Sequence, residues 1–319
     1  MHKKSIPFHG RFVPRISERN RFLMNTKIMK FKKELPYILF ILPAFIGYTI
    51  FVITPLIQSF GYAFTNWDGH SRADFVGFQN FIDLVRDQQM MLALRNTLVY
   101  SAAVPILVTL FAIPLAVLLN SKMKTRNLQR AIFFFPSVPS ILILGYLWSY
   151  VLNPTSRGLI NTVLNFMGFD SVMWLATPNL AMLSVIIVAV WQATGWHTCI
   201  YLANLQSIPK EVLESAKIDG AKGLSIFRYI TYPMLAPAMT ISVMLLLTGS
   251  LGVFALPFAL TGGGPGLSTT MVTQIIITRG ITERLYGRAT AMSLVFFLII
   301  LVCTVIQLTI MKRREERLS

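Results

Sequence analysis

Six long apolar runs alternate with shorter polar segments along the chain, at about Tyr37–Gln58, Thr97–Leu119, Ala131–Val151, Leu180–Ala203, Pro233–Phe258 and Ala289–Met311. Wound as a helix, each is long enough to cross a hydrocarbon core that needs about 20 residues. None of the runs contains Asp, Glu, Lys or Arg. Pro43, Pro55, Pro105, Pro114 and Gly249 fall inside them. In a soluble helix these residues would argue for breaks, but in a bilayer neighbouring helices re-satisfy the freed backbone groups. The pattern predicts an all-α polytopic membrane protein. Residues 1–36 read as a basic tail, 37–311 as a six-span domain and 312–319 as a second short tail.

Composition agrees with the pattern. The chain is 54% hydrophobic and 13% charged, with mean hydropathy +0.61, where a soluble domain carries about 25% charged residues. A net charge of +16 would suit a nucleic-acid ligand, but the basic residues lie where topology needs them. With the N-terminus inside, the inner segments hold ten, four, four and four Lys and Arg, and the outer segments three, one and three. An excess of that size puts both termini in the cytoplasm. The first 36 residues, with a short helix near Met24–Lys33, either anchor that topology or lie on anionic lipid. Cys199 and Cys303 sit inside apolar runs and read as small buried residues rather than a disulfide framework. The N-terminus lacks the apolar core of a secretory signal.

Several chemistries find no residues to support them. Ion-coupled carriers hold charged groups within the bundle, whereas here His197 is the only side chain at that depth that titrates near neutral pH. It reads as an interhelical hydrogen-bond partner. The glycine cluster Gly262–Gly266 lacks the lysine of a phosphate-binding loop and lies on the outer face. Neither a nucleophile with its base nor a metal-ligand cluster stands out. The chain reads as a pathway without a motor of its own and not as an enzyme.

One polar segment interrupts this pattern. Residues 207–237 form a helix-prone, glycine-punctuated stretch on the cytoplasmic side. Ser207 suits a helix cap with Pro209 in the first turn, and Glu211 and Glu214 favour the positive helix end. Val212, Leu213 and Ala216 offer an apolar face. Gly220 supplies a reversal that a Cβ would resist. A second short helix follows near Leu224–Ile230, with Leu224 and Phe227 on one side, before Pro233 and Pro237 open the fifth run. Taken alone, the segment is either a capped surface loop or a grip for a partner.

Its spacing is Glu214-Ser215-Ala216, three residues, Gly220, nine residues, Ile230, then Pro233. This resembles the EAA loop of binding-protein-dependent ABC importer permeases, with Ser215 in place of an alanine and Tyr232 in place of a leucine. Ile218-Asp219-Gly220-Ala221, Leu260-Thr261-Gly262-Gly263-Gly264-Pro265, Phe64-Thr65-Asn66-Trp67, Phe75 to Phe81 and Gly287-Arg288-Ala289-Thr290-Ala291 resemble the carbohydrate, maltose- or glycerol-phosphate-type subgroup. Within it they are similar to the first permease of the pair. The likeness runs from Tyr37 to about Arg314.

The resemblance implies a type I importer-like fold and import of a sugar or glycerol-phosphate-like solute through a bacterial or archaeal cell membrane. It also implies a second permease, two ATPase subunits that bind the ATP, and an extracytoplasmic solute-binding protein. The chain itself needs no cofactor or metal. Glu214, Ser215, Ala216, Asp219, Gly220, Ile230 and Pro233 would couple to the ATPase. Family sugar contacts match Ala193, Trp196, Ser250 and Val253; Ala193 and Val253 lack polar groups. Gln192, one turn from Trp196, and Thr248 are further path candidates. The polar path residues either face a sugar or hydrogen-bond between helices. Gly262, Gly263, Gly264 and Pro265 form either a docking loop for the binding protein or a plain turn. A permease for another solute, or a stand-alone carrier, remains as an alternative.

Overall fold

The computed structural model describes residues 34–121 and 124–318, so the basic tail lies almost wholly outside the described residues, as does the short helix expected near Met24–Lys33. Among the described residues every regular element is helical, and one isolated bridge pairs Thr65 with Phe75. The chain divides into two compact units at Ser59. The first holds nearly all of α1, Glu34–Tyr62, a single apolar helix with one widened turn at Thr49–Ile53. The widening falls just before Pro55, whose ring has no N–H to give the preceding turn. Thr54 closes it by turning both its backbone N–H and its hydroxyl, at 2.9 Å, onto the Thr49 carbonyl.

The second unit contains α2 (Gln79–Arg86), α3 (Gln88–Leu119), α4 (Arg126–Phe134), α5 (Ile141–Val151), α6 (Leu159–Phe166) and α7 (Pro178–Ser207). After these come α8 (Lys210–Ile218), α9 (Gly223–Met234), α10 (Ala236–Leu251), α11 (Ala255–Thr261), α12 (Val272–Ile277) and α13 (Tyr286–Leu318). Helices α1, α3, α7 and α13 are each long and apolar enough to cross a membrane. Two bent pairs, 126–151 and 223–251, raise the number to six when each pair counts as one span.

Two of the apolar runs are therefore not single helices. The run 131–151 turns by 91° between Ser137 and Ile141, where Pro136 and Pro139 remove two backbone donors within four residues. The run 233–258 stops at Leu251, and α11 starts afresh at Ala255. A continuous helix would need the Pro257 N–H for the Val253 carbonyl, and proline has none. The Thr273 hydroxyl takes that carbonyl instead, at 2.5 Å. In the other direction, α3 begins nine residues before its apolar run, because Asp87 caps the N–H groups of Gln89 and Met90 at 2.9 and 3.2 Å.

Helices α3, α7 and α10 build the core. On α3 the stripe Val104, Val108, Ala112 and Ala116 recurs every four residues, each at most 3% exposed. It packs against Val185, Ala189 and Tyr201 of α7 and Ala238 and Leu246 of α10. Small and branched side chains on these faces let backbones approach closely, and dispersion then holds helices together in lipid. His197 joins α7 to α10 through Ser242, with Nδ1 2.8 Å from Oγ. A second, smaller cluster gathers Leu84, Met90, Ala93, Val272, Ile275, Met292 and Phe296. Around it Arg279 pairs with Asp87 at 2.9 Å and Glu283 at 2.6 Å, and Arg288 pairs with Asp83 at 2.9 Å. The hydrogen bond to Glu283 is the main reason the Arg279 pKa lies above its ordinary value.

Candidate functional site: a hairpin between two spans

The polar segment folds as a hairpin of α8 and α9. Helix α7 runs through Ser207, whose hydroxyl donates to the Asn204 carbonyl at 2.8 Å. Ser207 therefore ends one helix and does not cap the next; Pro209 holds the N-cap position of α8. Ile208, 8% exposed, anchors the connection in the core. Ala216 is buried at 7% and Leu213 packs on the core, so α8 fixes its inner face through them. Glu214 and Ser215 point outward, and the Ser215 hydroxyl bonds back to the Glu211 carbonyl at 2.8 Å.

The reversal follows from local chemistry. Asp219 closes α8, and Gly220 adopts φ +82°. The N–H groups of Gly220 and Ala221 return to the carbonyls of Lys217 and Ala216 at 3.1 and 2.9 Å, the two bonds of a Schellman motif. A Cβ at Gly220 would meet nothing within 4 Å, so only backbone conformation restricts that position. Beyond it, Ile230 and Pro233 are half-buried where α9 approaches α10 at a 65° bend.

The outer surface of the hairpin is more apolar than its position among charges suggests. Ile218, Leu224 and Tyr229 are 86, 81 and 72% exposed. Leu224 and Phe227 do not share a side: Phe227 packs inward on the core while Leu224 stands free. Val212 likewise faces outward, apart from Leu213 and Ala216.

At the opposite end of the spans, the glycine loop has a held shape. Gly262, Gly263 and Gly266 take φ of 63, 94 and 58°, and the Gly264–Pro265 peptide is cis. Thr261 and Thr269 hydroxyls meet at 2.6 Å, and Thr269 and Thr270 donate to the carbonyls of Gly264 and Gly263, both at 3.0 Å. Gln274 reaches the Gly262 carbonyl at 3.1 Å, and Asn96 on α3 reaches those of Leu267 and Thr270 at 2.8 and 3.1 Å. A second organiser is Asn161 on α6, fully buried. Its amide shares two protons among the carbonyls of Asn153, Pro154, Thr155 and Val172 at 3.0–3.3 Å. Its oxygen accepts from Val172 N and Trp174 Nε1 at 3.0 and 3.1 Å. Neither asparagine stands out in the sequence; Asn161 at least follows a turn-rich segment, whereas Asn96 lies inside a long helix.

The path candidates are dispersed. Trp196 is 53% exposed with its ring 6.2 Å from that of Phe134. Gln192 is half-buried one turn away, with Ala193 beside it. On α10, Thr248 spends its hydroxyl on the Met244 carbonyl at 2.8 Å, and Ser250 is buried. Val253 lies in the break after α10. An apolar cavity of about 730 Å³ between α3, α4 and α7 is lined by Trp191, Thr194 and Gly195 rather than by Gln192 or Trp196.

Comparison with known proteins draws these features together. Residues 90–317 match the family described as binding-protein-dependent transport system inner membrane component. The chain is 32% identical over 293 residues to a probable starch degradation products transport system permease protein of Thermoanaerobacterium thermosulfurigenes, covering 92% of this chain and 99% of that one. It is 34% identical to a multiple sugar-binding transport system permease protein of Streptococcus mutans, covering 86% and 95%. It is 30% identical to a trehalose/maltose transport system permease protein of Thermococcus litoralis, covering 91% and 98%. A chain of a bacterial alginate ABC transporter, crystallised with an alginate pentasaccharide-bound periplasmic protein, superposes with a TM-score of 0.80 at 26% identity over 90% of this chain and 97% of that one. With its helical spans, polar hairpin and held glycine loop, the chain belongs to the inner-membrane components of binding-protein-dependent transport systems, the permease subunits of ABC importers.

Proposed function

We propose that this permease admits a sugar to the cytoplasm, driven by a separate ATPase that grips the α8–α9 hairpin. The observation that carries the coupling role is the hairpin surface: Ile218, Leu224 and Tyr229 leave water-facing apolar area beside exposed Glu214 and Asp219, which suits a cleft on a partner. Glu214, Ser215, Ala216, Asp219, Gly220, Ile230 and Pro233 set the shape that docks. ATP is bound by that partner and not by this chain. Both termini lie in the cytoplasm, where the excess of Lys and Arg belongs. A second, related permease completes the pathway, with Gln192, Trp196, Thr248 and Ser250 as its contribution from this side. The loop of Gly262, Gly263, Gly264 and Pro265 receives the loaded binding protein, because five side chains hold it in one shape before any partner arrives. Sugar is the solute class because relatives named for starch products, multiple sugars and trehalose/maltose align over most of the chain.

The test is purification of the chain from native membranes in mild detergent, then ATPase assay with and without sugar-loaded binding protein. Co-purification of an ATPase and a second permease, with hydrolysis raised by the loaded binding protein, is the expected result. A lone homo-oligomer without ATPase would overturn the reading. A second reading, a permease for another solute, draws on similarity to an osmoprotective compounds uptake permease of Synechocystis sp., 27% identical over 87% of this chain and 99% of that one. A ligand screen on the binding protein separates the two.

A further inference from the structure

The joint between the hairpin and the fifth span is bent and lacks part of its regular backbone hydrogen bonding. Helix α9 opens into a π-turn at Phe227–Thr231, and α9 and α10 then meet at 65°. Pro233 and Pro237 withhold two backbone N–H groups on either side of the bend. A partner that moved the hairpin would lose much of that motion by flexing such a joint.

Two consecutive residues of α13 bridge it. The Arg314 guanidinium donates to the Tyr232 hydroxyl at 2.6 Å and lies over the same ring, 5.2 Å from its centroid. The Thr240 hydroxyl lies 3.0 Å from the Glu315 carboxylate and 3.1 Å from the Ala236 carbonyl, and shares its one proton between them. Tyr232 stands on the hairpin side of the bend and Thr240 on the span side. Arg314 borders a cavity of about 490 Å³ whose lining is largely apolar, including Pro105, Ile106, Phe227, Met239 and Met311. A charged donor against largely apolar walls makes a stronger hydrogen bond than it would in water. A leucine at 232 would offer neither acceptor nor ring face.

We infer that Arg314 and Glu315 form a strut across the α9–α10 joint, so that the last span and the hairpin move as one lever. These are positioning residues for coupling and touch no substrate. The inference rests on the hairpin docking an ATPase.

The test uses the assembled transporter in nanodiscs, with Cys199 and Cys303 replaced by alanine. Spin labels replace Lys217 on the hairpin and Leu245 on the fifth span. Pulsed electron resonance then reads the distance distribution between them in the parent, Tyr232→Phe and Arg314→Gln. Tyr232→Phe keeps the ring and removes only the acceptor. The strut predicts a distribution about twofold broader or more in both variants, and ATP consumed per sugar moved raised by about two- to fivefold, because a charge-assisted hydrogen bond is lost. A merely structural role would lower the yield of complex without changing either ratio. Unchanged width and unchanged ATP per sugar in both variants overturn the strut. Mobility of the Lys217-site label on adding ATPase subunits tests the underlying reading separately. Immobilisation upholds docking, and its absence removes the hairpin reading and the strut with it.

Discussion

Gly195 is where the bent third span meets α7, and replacing it with alanine is a quantitative probe of the architecture. An added Cβ would sit 2.8 Å from the Phe133 carbonyl carbon and 2.9 Å from the Phe134 Cα, and closer still to the Phe133 oxygen. These are backbone atoms, so no rotamer change relieves the overlap. Either α4 must retreat from α7 by about an ångström or the bend must deform, and the Phe134–Trp196 ring contact at 6.2 Å goes with it. Overpacking of this kind costs about 1–3 kcal/mol. Taking about 2 kcal/mol, the unfolding midpoint should fall by roughly 4–8 °C, if each kcal/mol shifts a chain of this size by about 2–4 °C. The assay is a detergent melt of the purified transporter followed by size exclusion. Gly249→Ala is the matched control, since its Cβ would meet nothing within 4 Å. It should leave the midpoint unchanged or raise it slightly, because alanine is favoured over glycine in helices by up to about 1 kcal/mol. Equal midpoints for the two variants would refute the claimed approach of Phe133 to α7.

Other predictions address loops. Gly220→Val should leave the helical core folded, because the left-handed backbone costs a side chain only about 1–2 kcal/mol locally, but should abolish ATPase stimulation by the loaded binding protein; normal stimulation would count against the docking role. Asn161→Ala leaves the Val172 N–H and several carbonyls without their shared partner and should cost about 2–3 kcal/mol locally, seen as faster hydrogen exchange across residues 153–174 with exchange in α7 unchanged. Asp68 accepts from His70 N, Ser71 N and Ser71 Oγ at 3.0, 2.8 and 2.7 Å, and the His70 and Ser71 N–H groups lead in holding its carboxyl far below the usual range. Since the folded pKa is the lower one, the turn's stabilisation should be full above the unfolded value of about 3.9 and fade only as pH falls toward the folded pKa. Exchange protection at residues 70–71 that already declined between pH 7 and 5 would contradict this.

The parts of this protein that depend on neighbouring residues were legible in its sequence. Apolar length located the four unbroken helices long enough to cross a bilayer, because such a crossing demands about 20 residues whatever surrounds them. Glu214 to Pro233 announced the hairpin, since a capped helix, a left-handed glycine and a proline are requirements of the local backbone. The features that escaped depend on which helices become neighbours. Pro257 was visible, yet the break it causes could settle at Gly252–Phe254 only because Thr273, twenty residues on, takes the Val253 carbonyl. Ser207 has the chemistry of a cap, but α7 runs on through it. Asn96 meets Leu267 and Thr270 across more than 170 residues, and Arg314 meets Tyr232 across 82. Periodicity and spacing carry only the conformational needs of a few adjacent residues. A buried donor finds its acceptor through the packing of whole helices, and that packing exists only in the tertiary structure.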